Sequence, residues 1–195
     1  MERTMKRMLL FLLGIFLAAG WLVPPAGQAA AGPPAKGESF PAITLPIPKD
    51  ADDKNYLGLT GGGSFKITQV KAQAVLIEIY SMYCPYCQKE APGINELFQA
   101  IEKDPELKGR IKILGIGAGN SAYEVGVYKK TYNVPFTLIP DERFALHKAL
   151  GETRTPYFIL VRIDQGGTGL VTYSELAGFK GVESFLEIIR KEVIR

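Results

Sequence analysis

Apolar positions along this chain fall into two rhythms. Residues 74–80, Ala-Val-Leu-Ile-Glu-Ile-Tyr, are almost continuously apolar, the pattern of a strand buried on both faces. Residues 157–163, Tyr-Phe-Ile-Leu-Val-Arg-Ile, repeat it. Arg110 to Ile116 and Pro135 to Ile139 predict shorter strands. Between Gln88 and Glu102 the period lengthens: Ile94, Leu97, Phe98 and Ile101 recur at helical spacing, so a helix is expected, ending near Asp104-Pro105. Pro92 lies inside it and should kink it. Ser121 is placed to cap a helix from Ala122 to Tyr132. Glu142 to Leu150 predicts a helix stopped by Gly151. Val182 to Ile194 predicts a last helix with Phe185, Leu186, Ile189 and Val193 inward. Asp164-Gln165-Gly166-Gly167 reads as a hairpin turn into an antiparallel strand, Leu170 to Leu176.

The N-terminal third is less regular. Residues 32–39 read as a linker, and Phe40 to Pro46 as extended chain, since its prolines forbid a helix. Residues 48–63 are polar and end in Gly61-Gly62-Gly63. No Lys-Ser/Thr pair follows those glycines, so they predict a plain loop rather than a phosphate cradle. Ser64 to Val70 alternates Phe65, Ile67 and Val70 with polar residues and predicts a strand, turning at 71–73 into the run at 74–80. The order β-β-α-β-α-β-α-β-β-α predicts an α/β fold. Its central mixed sheet is flanked by helices on both faces, and the final hairpin makes an antiparallel edge. No internal repeat is visible.

Residues 1–31 change the picture of where the chain works. Arg3, Lys6 and Arg7 precede a nearly unbroken apolar stretch, Met8 to Val23, closed by Pro24-Pro25; Ala29-Ala30-Ala31 fits a cleavage site. This is the layout of an export signal peptide, or, uncleaved, of an N-terminal membrane anchor. Residues 32–195 then form one domain, and export to a bacterial periplasm is expected. Formal charge is +3 over 195 residues. Residues 1–31 hold three cations and Glu2, a net +2, which leaves +1 for the rest. Such a balance gives no basic field for nucleic acid. Hydrophobic residues make up 47% of the chain, enough for a substantial core.

The candidate chemistry is concentrated in Ser81-Met82-Tyr83-Cys84-Pro85-Tyr86-Cys87, which holds both cysteines of the chain. The expected strand ends just before them and the expected helix starts just after. A helix N-terminus carries unpaired N–H groups and partial positive charge, which favours a thiolate at Cys84. Cys87 lies one helical turn on. Such a pair can attack a disulfide, form a mixed disulfide and resolve it. A structural zinc site needs about four ligands, and two cysteines plus His147 fall short. A structural staple gains little over so short a loop. A transient metal dithiolate or an inert thiol pair stays as the alternative. Glu78 shares a strand face with Leu76 and Tyr80; buried, its carboxyl would have a raised pKa suited to taking a proton from Cys87. An edge-exposed glutamate is the plainer alternative. His147, the single histidine, is expected on a helix away from the cysteines, and Tyr80 in the core.

Taken together, the sequence resembles the thioredoxin fold, and most of all the exported TlpA/ResA/DsbE-type thiol–disulfide oxidoreductases. Residues 40–195 carry the likeness. It rests on Cys84-Pro85-Tyr86-Cys87 after a hydrophobic strand, Pro92 eight residues beyond Cys84, Thr155-Pro156 at the start of a late strand, and Glu78 six residues before Cys84. Residues 40–70 and 121–132 match the family's N-terminal β extension and inserted helix. The resemblance implies that Cys84 attacks, Cys87 resolves and Glu78 relays a proton. It implies a cis peptide at Thr155-Pro156, with that loop, Tyr83, Pro85 and Tyr86 meeting the substrate chain. No dissociable cofactor is expected, the redox group being the Cys84–Cys87 disulfide itself. Partners would be client proteins and a dithiol electron partner, either soluble or membrane-bound, and a monomer is expected. Reduction of clients, as in cytochrome c maturation, is the expected direction. The Pro-Tyr dipeptide departs from the family's common Trp-Cys-x-Pro-Cys and is more similar to glutaredoxins. A copper-binding metallochaperone and a thiol peroxidase remain as alternatives. The spacing of two between the cysteines speaks against the first. The lack of a flanking threonine or a sequence-near arginine speaks against the second.

Overall fold

The computed structural model describes residues 32–176 and 178–193. The expected leader, with its cleavage site, lies outside the described residues. The first elements form a small annex. Strand β1 (Leu45–Pro46) pairs antiparallel with β2 (Ser64–Phe65), Leu45 opposite Phe65. Between them stands a helix, α1 (Ala51–Leu57), where the polar composition of 48–63 predicted only loop. Its signals are local rather than periodic. Asp50 accepts the N–H groups of Asp52 and Asp53 at 2.9 and 3.1 Å, and Gly58 closes the helix at φ 68, as cap and C-terminal glycine should. Only Leu57 of this helix is fully buried, so no apolar stripe marked it.

The strand expected over 64–70 is also shorter than its pattern. After β2 the chain turns through a 3₁₀ helix, Ile67–Gln69. Phe65, Ile67 and Val70 are nevertheless all buried. A tight turn inserts the same side chains that a strand would, with the Gln69 carboxamide accepting the Lys66 N–H at 2.7 Å.

The main sheet contains β3 (Ala74–Tyr80), β4 (Ile111–Ala118), β5 (Thr137–Asp141), β6 (Tyr157–Ile163) and β7 (Gly169–Glu175) in the order β5-β4-β3-β6-β7. Strands β3, β4 and β5 run parallel, and β6 and β7 antiparallel to their neighbours. The mixed sheet with an antiparallel hairpin edge is therefore as expected. Strand β3 is central and buried throughout. Its alternate residues enter two cores. Leu76 and Tyr80 face α2 (Pro85–Lys103), α3 (Ala122–Thr131) and α5 (Val182–Val193). Val75, Ile77 and Ile79 face the annex and α4 (Ala145–Ala149). Strand alternation is what divides them.

Pro92 lies inside α2, and α2 begins at Pro85, three residues before the apolar pattern does. Strands β4 and β5 each run two residues past their expected ends, because parallel pairing continues to Ala118 opposite Asp141. Helix α4 is correspondingly shorter than 142–150: a turn occupies 142–144, with Phe144 at φ 57. Ser121 caps α3 as expected, in a reciprocal box with Glu124. No helix among the described residues is long and apolar enough to cross a membrane.

Candidate active site

Cys84 is the residue at which β3's loop becomes helix. Its backbone is extended (φ −83, ψ 114), its N–H bonds the Ser81 carbonyl at 3.0 Å, and its own carbonyl accepts the Gln88 N–H at 3.1 Å. Pro85 occupies the first helical position, where a missing N–H costs nothing. No acidic side chain occupies the first turn, so the positive end of the helix is uncompensated beside the sulfur. Both thiols are free, Cys84 half-buried and Cys87 fully buried. Cys84 Sγ donates to the Thr155 carbonyl at 3.3 Å.

The two thiols differ in acidity. Partial burial works against the Cys84 thiolate. Hydrogen bonds from the Thr155 side chain, the Cys87 backbone and thiol and the Tyr86 backbone outweigh it and hold Cys84 below the ordinary thiol value. Burial pushes the Cys87 thiol far up; a Ser81 backbone bond opposes this, and the Glu78 carboxylate adds to it. Glu78 is 2% exposed, which removes the edge-exposed alternative. It stands on β3 between Gly115 of β4 and Phe158 of β6. Burial first, then the charges of Glu90 and Cys84, push its carboxyl up to about 8. Its Oε1 has no hydrogen-bond partner among the described residues.

Thr155–Pro156 is a cis peptide and faces Cys84 as the sequence resemblance implied. Two grooves flank it. One, of about 470 Å³, is lined by Tyr83, Phe144, His147 and Thr155 among others. The other, of about 370 Å³, is lined by Tyr86, Glu90, Pro156 and Leu176 among others, and Thr155 and Arg154 belong to both. Tyr83 and Tyr86 are largely exposed, while Tyr80 is fully buried. Pro85, named with the substrate-contacting residues, is exposed but lines neither groove. His147 is not remote from the site. The parallel pairing that extends β4 and β5 carries α4 to the groove wall, where the His147 ring Nε2 sits 2.7 Å from the Thr153 carbonyl. Gly119 permits the approach: a Cβ there would stand 2.3 Å from the Phe144 ring.

Several residues that hold the cysteine loop were not singled out from the sequence. Asn120 Oδ1 accepts the Met82 N–H at 2.8 Å, and Gln88 Nε2 donates to the Met82 carbonyl at 2.6 Å. The Tyr83 hydroxyl donates to Glu124, and the Tyr128 hydroxyl to the Cys87 carbonyl at 3.1 Å. The inserted helix α3 thus buttresses the dithiol loop. Glu90, one turn beyond Cys87, accepts the Phe179 N–H at 2.8 Å and so ties α2 to the segment after β7. Its position three residues after Cys87 was visible; the segment it would meet was not.

A central mixed sheet with a dithiol at the start of its principal helix, facing a cis-proline loop, defines a thioredoxin-fold thiol–disulfide oxidoreductase. Residues 37–172 match the AhpC/TSA family, and the chain belongs to it. The thiol-disulfide oxidoreductase ResA of Halalkalibacterium halodurans is 22% identical over 131 residues, 67% of this chain and 70% of that one. ResA of Bacillus thuringiensis is 25% identical over 130 residues, 67% and 69% of the two chains. Among solved structures, a thiol:disulfide interchange protein from a Bacteroides species superposes with a TM-score of 0.59 at 19% identity, over 83% of this chain and 92% of that one.

Proposed function

We propose that the protein is an exported oxidoreductase that reduces disulfides of client proteins through Cys84 and Cys87. The observation that carries this reading is the division of labour between the thiols: Cys84 accessible and acidified, Cys87 buried with its thiol pushed up beside the Glu78 carboxyl. The Cys84 thiolate attacks one sulfur of a client disulfide. A Cys84–client disulfide forms and the other client sulfur leaves as a thiolate. Cys87 then gives its proton to Glu78 in its ionised form, the minority form near neutral pH, and attacks Cys84 Sγ. The Cys84–Cys87 disulfide forms, and the client leaves with both sulfurs reduced. Two electrons pass from the dithiol to the client, and a second dithiol protein restores them. Thr155 and Pro156 align the client backbone, and Tyr83 and Tyr86 border it. The couple itself is the redox group, and no dissociable cofactor enters. The export pattern of residues 1–31 supports a periplasmic setting, where such clients form disulfides, and the domain acts as a monomer.

One observation favours a second reading. Thr155 and Arg154, distant in sequence, stand on the loop facing Cys84, the residue types a thiol peroxidase uses. Turnover of hydrogen peroxide with a thiol reductant would support that reading. The copper alternative gains no such support: His147 Nε2 is engaged by Thr153, and no group of three or more metal-binding side chains converges among the described residues.

The test is the midpoint potential of the Cys84/Cys87 couple in thiol buffers, with Cys84→Ser as control. A value near or below about −250 mV is expected of a reductase. A value near about −120 mV would mark an oxidant and reverse the proposed direction.

A further inference from the structure

Arg154 is the one cation in the cis-proline loop, which also holds Glu152, and the thiol–disulfide exchange above leaves it unused. It is exposed and has no ion-pair partner among the described residues. Its place is fixed from behind, because His147 Nε2 engages the carbonyl of Thr153, the residue before it. It lines both grooves, and they meet at Thr155, whose carbonyl lies 3.3 Å from Cys84 Sγ. A chain bonded to that sulfur must lay the residues flanking its cysteine along these grooves.

The grooves differ in charge. In the smaller, Glu90 shares the lining with Arg154 and offsets it. In the larger, the walls are Tyr83, Phe144 and His147, and no carboxylate lines it. A guanidinium at the edge of an aromatic wall, with no acid in that lining, creates a local positive potential that a carboxylate satisfies. We propose that Arg154 is a specificity residue that favours clients carrying an aspartate or glutamate beside the reactive cysteine, the acidic side chain entering the groove between Tyr83, Phe144 and His147. This inference rests on the thiol–disulfide exchange proposed above and names its substrate class.

The test uses the full chain, reduced in advance, and three cyclic disulfide peptides identical except for Asp, Asn or Lys next to one cysteine. Single-turnover reduction is followed by acid quench and chromatography, with 2-hydroxyethyl disulfide as an uncharged small substrate. The Asp peptide is expected to react about three- to fivefold faster than the Lys peptide at low salt, the size of an exposed ion pair. The ratio should fall toward one at high salt, and Arg154→Glu should reverse it. Because the ratio is read on one preparation, a general loss of activity cannot mimic a reversal. Equal peptide rates with 2-hydroxyethyl disulfide still reduced would overturn the inference alone, as would a ratio that survives Arg154→Glu. A protein inert toward the peptides and 2-hydroxyethyl disulfide alike would overturn the oxidoreductase reading and this inference with it.

Discussion

Replacing Glu78 by glutamine keeps the shape of the side chain and removes its titration. In the native protein this carboxyl is fully buried under the dithiol, and its pKa rises from 4.5 to about 8. Between these values the unfolded chain has released the proton while the folded chain still holds it. The stability that follows is fully present below pH 4.5 and is lost as pH rises through about 8. At about 1.4 kcal/mol per pH unit, the loss has an upper bound of about 5 kcal/mol, which any water admitted beside Oε1 reduces. Glutamine is neutral throughout and has no such slope. Urea unfolding of both proteins, kept reduced, should be compared at about pH 5, 6, 7 and 8. Relative to wild type, Glu78→Gln should gain several kcal/mol across that range, with the gain growing toward alkaline pH. Comparing the two cancels the contributions of Cys84 and other groups that titrate in both. Stability curves that stay parallel within about 0.5 kcal/mol from pH 5 to 8 would refute the argument that the fold holds this carboxyl protonated.

Alkylation with iodoacetamide should modify Cys84 with a pH midpoint below the roughly 8.5 of a free thiol. Cys87 should resist until the protein is unfolded, since it is both buried and weakly acidic; equal reactivity of the two would contradict the assigned roles. Phe185→Ala should cost about 3–5 kcal/mol in urea unfolding. Its ring is fully buried and packs at 5.0 Å from both Phe158 and Phe179, so a loss below about 1 kcal/mol would mean that this side of the core readily collapses.

How far the sequence reached can be judged residue by residue. The run 74–80 reads as a doubly buried strand, and β3 has those bounds and lies at the centre of the sheet. The same holds for 157–163 and β6. Both are long, apolar and bounded by breakers, so local chemistry alone defines them. Helix α1 leaves no periodic signal, because it buries a single leucine fully and declares itself only through Asp50 and Gly58. Over 64–70 the sequence predicts a longer strand than forms, because alternation shows which side chains go inward, not whether the backbone between them pairs with a neighbour. The neighbour it pairs with, β1, offers two residues.

The reactive pair, its position at a strand–helix junction and an acidic residue on the right face of the strand beneath are all legible in the order of residues. Spacing, alternation and helix periodicity are local properties, and a chain carries them whatever it folds against. The environment that gives these groups their chemistry comes from the folded chain. Folding buries Glu78 and Cys87, brings the Thr155 carbonyl to 3.3 Å from Cys84 across 71 positions, and sets Asn120, Glu124 and Tyr128 behind the loop. Arg154 and His147 likewise reach the groove walls through the crossovers of the sheet. Acidity and specificity depend on burial and on distances between remote segments, and those exist only once the sheet has brought the segments together.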